Sequence, residues 1–259
     1  MRTIYTILLA ITLSLSSFIL SAQTRTVHVF VALADNLNQG IVRVPELIGN
    51  GQDPRNNLYW GCGYGIKTYF SKHSGDWKLL KTIKNPKPGI LERLLFKHVR
   101  KEVYLLADAY DGREIKQTTI DFLQATGGNQ VQTITHGEQK LPFGGGSNLL
   151  AYIGHDGLMG DFHLGKMKVV PANDKKRDAI ILACYSKSYF IKYIEQSKAN
   201  PLIWTSGLMA PEAYTLEWAL DGWVLNETNA QIRERAAKAY NHYQKCGMRG
   251  ARNLLRTGY

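Results

Sequence analysis

Two stretches of this 259-residue chain decide its architecture: Asn148-Leu-Leu-Ala-Tyr-Ile-Gly-His-Asp-Gly157 and Arg177-Asp-Ala-Ile-Ile-Leu-Ala-Cys-Tyr-Ser186. Each carries a short run that is apolar at every position. A strand with one wet face would alternate; a strand apolar on both faces belongs to a covered, parallel sheet. Further out, Thr26–Ala34 and Val103–Asp108 have the same character, and Leu202–Thr205 is a shorter example. Helical patterns lie between them. Ile115, Thr119, Phe122 and Leu123 share one helical face until Gly127-Gly128 stops it. A second pattern starts near Ser186 and ends before Pro201, and two more span Pro211–Leu225 and Thr228–Cys246. Thr228 and Gln231 have capping-box spacing.

Strands alternating with helices predict an α/β fold: a mainly parallel sheet with helices on both faces. Trp77–Lys84 and Ile90–His98 flank the turn Asn85–Gly89, which predicts a β-hairpin insertion. No repeat, low-complexity tract or linker divides the rest, so residues 23–259 read as one domain.

Composition agrees. With 44% hydrophobic and 20% charged residues, the chain is neither disordered, collagen-like nor a disulfide-dense mini-protein. The formal charge of +11 bears on solubility and on attraction to polyanionic surfaces, not on fold. The C-terminal Lys238, Lys245, Arg249, Arg252 and Arg256 form no nucleic-acid-binding signature.

Residues 1–22 stand apart. Met1-Arg2 is a basic start, Ile4–Leu20 is apolar with Thr and Ser interspersed, and Ser21-Ala22 supplies small residues before Gln23. That pattern predicts a secretory signal peptide and a secreted or periplasmic protein. A short membrane anchor, the competing reading, would be expected to carry a basic stop-transfer flank. No other segment is long and apolar enough to span a membrane. Export makes the three cysteines notable, because an odd count leaves at least one thiol unpaired. One arrangement bonds Cys62 to Cys246 and leaves Cys184 free; the other leaves all three reduced.

In open α/β sheets, ligands bind beyond the carboxyl ends of the strands. There the sequence places Asp35-Asn36, then Gly154-His155-Asp156-Gly157, then Cys184. A His and a Cys thus end consecutive strands, the pairing a thiol nucleophile and its acid/base require. A helix starting near Ser186 would favour the Cys184 thiolate. The N–H groups of Asp156 or Gly157, with that of Cys184, are candidate oxyanion donors. Asp53, Asn57 and Tyr59, on a long loop, join Asp35 and Asn36 as candidate pocket residues. A rival chemistry uses His155, Asp156, Asp161 and His163 as metal ligands, although no His-Glu-x-x-His pattern supports it. Gly61-x-Gly63-x-Gly65 lacks the spacing and the Lys of a phosphate loop and reads as close packing beside Trp60.

A strand ending in His-x-Gly followed by one ending in Ala-Cys resembles the caspase-like cysteine peptidases, the clan of caspases, gingipains and legumains. The matching residues are Leu149–Gly157 and Ala179–Ser186. The resemblance implies a caspase–haemoglobinase-like sheet and a His155–Cys184 dyad. It further implies a peptide or protein substrate and no cofactor. The family places Gly directly after His; here Asp156 intervenes, so the oxyanion donor is either Asp156 or Gly157. The alternatives from other classes are a secreted binding or scaffold protein on the same fold, and a metal-dependent hydrolase.

Overall fold

The computed structural model describes residues 23–159 and 164–259. The expected signal peptide (residues 1–22) and Asp161 and His163 lie outside the described residues. The first strand, β1 (Arg25–Ala32), lies near the middle of an eight-stranded sheet. β4 (Val103–Tyr110) pairs with it on one side and β7 (Leu149–Ile153) on the other, both parallel. Beyond β7 come β8 (Asp178–Leu182) and β9 (Asn200–Thr205), also parallel, and then a two-residue antiparallel strand, β10 (Leu255–Arg256). The fold is α/β with a mainly parallel sheet, as the apolar runs predict.

Both faces are covered. Val27, Val29 and Val31 point to one core, packed under α1 (Ile66–Lys72), α4 (Ala213–Val224) and α5 (Asn229–Gln244). Phe30 and Ala32 point to the other, under α2 (Ile115–Thr126) and α3 (Ser186–Ser197). Helices on both sides explain why strand residues of either parity are apolar. The Thr228–Gln231 capping box at the start of α5 is present. A short further helix, α6 (Met248–Leu254), leads into β10.

The expected hairpin is present. β2 (Trp77–Lys87) and β3 (Ile90–His98) form it, and β3 pairs antiparallel with β4, so the hairpin extends the main sheet. The physical reason is edge closure: without β3, the β4 edge would expose unpaired backbone groups. β2 becomes the new edge, and Lys78, Lys81, Lys84 and Lys87 along it discourage further pairing. A second hairpin, β5 (Gln132–His136) with β6 (Gln139–Phe143), was not legible in the apolar pattern. Its Leu141 and Phe143 cover Leu95, Tyr104 and Leu106.

Two buried positions of β1, Thr26 and His28, are polar. His28, fully buried, places Nε2 3.1 Å from Asp108 Oδ2 and accepts at Nδ1 from the Gly144 N–H. Arg93 closes the group with two bonds of 2.6 Å to the Asp108 carboxylate. Because Nδ1 accepts, the proton of the neutral ring sits on Nε2 and is donated to Asp108.

No described helix is long and apolar enough to cross a membrane. All three cysteines are free, so the Cys62–Cys246 bond is not formed. The exposed Cys246 thiol instead lies 3.7 Å from the carbonyl of its neighbour Gly247.

Candidate active site

β7 and β8 run in register to Ile153 opposite Leu182, and His155 and Cys184 each follow two residues later. They therefore leave the same edge of the sheet from adjacent parallel strands. Local backbone sets both directions. Gly154 has φ +145°, and a Cβ there would lie 2.6 Å from the Ala32 carbonyl oxygen. Only glycine lets the chain pass that close to β1 and turn His155 over the sheet edge. After Cys184 the chain enters α3 through Tyr185 in the left-handed region, φ 48°, a conformation costing a non-glycine residue about 1–2 kcal/mol. Tyr185 N–H is held by the Gly207 carbonyl at 2.9 Å, and Ser186 Oγ donates to Ile181 O at 2.8 Å. The turn is clamped to β8 and to the loop after β9.

Together the two residues line a cavity of about 240 Å³. Its walls come from the segments after four strands: Val42, Val44, Leu58 and Tyr59 after β1, Gly154 and His155 after β7, Cys184 after β8, and Met209 to Glu212 after β9. The wall is mostly apolar, with the thiol, the imidazole, the Tyr59 hydroxyl and the Glu212 carboxyl as its polar side-chain groups. The site lies beyond the carboxyl ends of β7 and β8 and borders the β1–β7 gap where the strand order reverses, the region in which open α/β sheets bind ligands.

Electrostatics at the site are those of buried neutral groups. Burial drives the His155 pKa down to about 4, so the ring is neutral at physiological pH. Tyr59 lies edge-on to it, with its hydroxyl 3.4 Å from Nδ1. Burial pushes the Cys184 thiol up; the Met209 N–H, 3.5 Å from Sγ, opposes this and Asp156 reinforces it. The resting cavity thus holds a thiol, not the thiolate expected from the start of α3, because the loss of hydration outweighs the favourable partners.

Asp156 is buried beside this pair. Its Oδ1 accepts the Leu158 N–H at 2.8 Å, while Oδ2 has no hydrogen-bond partner. Burial raises its pKa to about 7. Since that value lies above the 3.8 of an unperturbed carboxyl, the folded state holds the proton more tightly. Its contribution to stability is present at low pH and is lost as pH rises toward 7. Asp156→Asn, which keeps the Leu158 bond, is expected to match the wild type near pH 4. It should become more stable by up to roughly 4 kcal/mol above pH 7, at 1.36 kcal/mol per pKa unit. Urea unfolding at pH 4, 5.5 and 8 measures this, and a stability difference independent of pH would contradict it.

The other sequence-derived candidates divide. Of the five pocket residues, only Tyr59 lines the cavity. Asp35 and Asn36 border a separate hollow of about 630 Å³. There Asp35 accepts from the Leu37 and Asn38 N–H groups, and Asn36 bonds both backbone groups of Val44. Asp53 caps its own turn through the Arg55 N–H. Asn57 is a fully buried strut, tying its loop to the Ala34 N–H and carbonyl. Polar loop residues near a sheet edge serve turn closure as readily as ligand binding, which is why the sequence alone did not separate them. Gly157 faces α2 rather than the cavity: a Cβ there would meet Thr119 Oγ1 at 2.1 Å. Gly61 and Gly65 fit tightly against the Arg55 and Trp60 backbones, so that stretch is packing. Among the described residues, no three of His, Cys, Asp and Glu come together in a metal-binding group. Val42, Met209 and Glu212 were missed, since they lie far from both motifs in sequence and only folding brings them to the site.

No protein-family description, curated protein or solved structure matches this chain.

Proposed function

We propose that this chain is an exported cysteine hydrolase of the caspase-like type, acting on peptide or protein substrates with Cys184 as nucleophile and His155 as acid and base. One observation supports the reading above all: a thiol and an imidazole from the carboxyl ends of adjacent in-register strands line one cavity. With both groups neutral at rest, deprotonation accompanies attack. His155 takes the Sγ proton as sulfur bonds to the substrate carbonyl carbon, and the carbonyl electron pair moves onto oxygen. The Cys184 N–H and a backbone N–H beside His155 are the oxyanion donors in this scheme. The imidazolium then gives its proton to the departing amine. Water, deprotonated by His155, hydrolyses the thioester and restores the thiol. Tyr59, close to Nδ1, accepts from the imidazolium and so offsets part of the cost of charging a buried ring.

The test is a peptide library incubated with the purified protein, with and without a peptidyl chloromethyl ketone. Hydrolysis blocked by the ketone, with the label on Cys184, is expected. Hydrolysis insensitive to the ketone but lost with chelator would shift the chemistry to a metal. No hydrolysis of any peptide would leave a binding protein.

A further inference from the structure

Resting on the cysteine-hydrolase reading, we propose that Glu212 makes the cavity selective for a substrate with a lysine or arginine side chain beside the scissile bond. Glu212 lines the same cavity as Cys184 and His155. It stands at the N-cap position, just before α4, but its side chain makes no capping bond to that helix. Its Oε2 accepts from the Tyr214 hydroxyl at 2.9 Å and from Gln244 Nε2 at 3.3 Å. Among the described residues, none donates to Oε1, and no Lys or Arg forms an ion pair with Glu212.

The remaining wall suits the rest of such a side chain. Val42, Val44, Leu58, Met209 and Pro211 are apolar. Lysine and arginine carry a methylene stem that lies along apolar surface and a charged head that seeks an acceptor. A cavity of about 240 Å³ is below the usual size of a cofactor site and suited to a single side chain. His155, neutral, does not compete for the carboxylate. Burial has pushed the Glu212 carboxyl up, and a cation entering the cavity reverses that shift by restoring favourable interactions for the anion. An acidic substrate residue would meet like charge and be rejected.

Two experiments separate this inference from the catalytic one. Calorimetry on the Cys184→Ala protein compares acetyl-Ala-Ala-Arg-Ala-amide with its norleucine counterpart, so binding is read without turnover. The arginine peptide is expected to bind at least tenfold more tightly, and Glu212→Gln, which retains the Tyr214 bond, should remove that preference. Equal binding of the two peptides, or binding of neither, overturns the inference. Hydrolysis of the same peptides by the unmodified protein tests the chemistry. Cleavage after neutral or acidic residues that Glu212→Gln leaves unchanged overturns the selectivity alone. Arginine-selective binding without hydrolysis by the unmodified protein supports the selectivity and counts against the nucleophile.

Discussion

Replacing Cys184 by alanine is expected to lower peptide hydrolysis by about 10³-fold or more while leaving the fold intact. The large effect follows from the absence of a substitute: no other cysteine lines the cavity, and an alanine methyl cannot form the acyl intermediate. The small structural effect follows from position. Cys184 sits at the cavity wall rather than inside either core, and the turn that carries it is held by Tyr185 N–H and Ser186 Oγ, which the substitution leaves in place. His155→Ala should reduce turnover comparably, since the resting thiol needs an acceptor for its proton. The Tyr152 hydroxyl, 2.8 Å from the His155 carbonyl, bonds to backbone and survives that change. Turnover numbers together with thermal unfolding of both variants decide the matter. A Cys184→Ala protein that loses several kcal/mol of stability and keeps its activity would make Cys184 a packing residue.

The second large effect lies away from the cavity. Asp108→Ala is expected to cost about 3–5 kcal/mol of folding stability, because it strands a buried arginine without its counter-charge. Arg93 and Asp108 are both buried, and the bidentate pair is completed by the His28 bond. Burial alone would raise the Asp108 pKa, but the bonds from Arg93 and His28 reverse that and hold it below its ordinary value. A depressed carboxyl contributes stability that is present above its unfolded pKa and lost as pH falls through the folded one. Burial likewise lowers the His28 pKa, the Asp108 bond only partly opposing it. Its uptake of a proton in the unfolded chain therefore adds to acid lability below about pH 6.5. Replacing both partners with apolar residues, Arg93→Met with Asp108→Leu, should cost less than Asp108→Ala alone, since neither charge is left unpaired. Urea denaturation of the single and double variants measures the difference. A single-variant loss below 1 kcal/mol would mean that the group is hydrated in the folded state.

How much of this protein was legible in its sequence depends on the range of the interactions involved. The five parallel strands, α2, α3 and the capping box could be read directly, because periodicity and caps are properties of neighbouring residues. The pairing of His155 with Cys184 was legible for a related reason. Parallel strands linked by a crossover commonly lie side by side, so residues ending consecutive strands share an edge. β5 and β6 escaped because a five-residue run containing Pro142 has too little pattern to register. The place of the β2–β3 hairpin escaped because local sequence encodes a turn but not which edge of the sheet needs covering. The protonation of the site was decided by folding alone. A cysteine ahead of a helix suggests a thiolate, yet the apolar walls from Val42 to Pro211 remove the water that would solvate it. Glu212 belongs with these. Nothing around it in the chain marks it, and it became a cavity residue only when the loop after β9 folded across the ends of β7 and β8. Local sequence determined the strands and the chemistry at their ends; long-range packing decided the cavity around them, its charge and the company each side chain keeps.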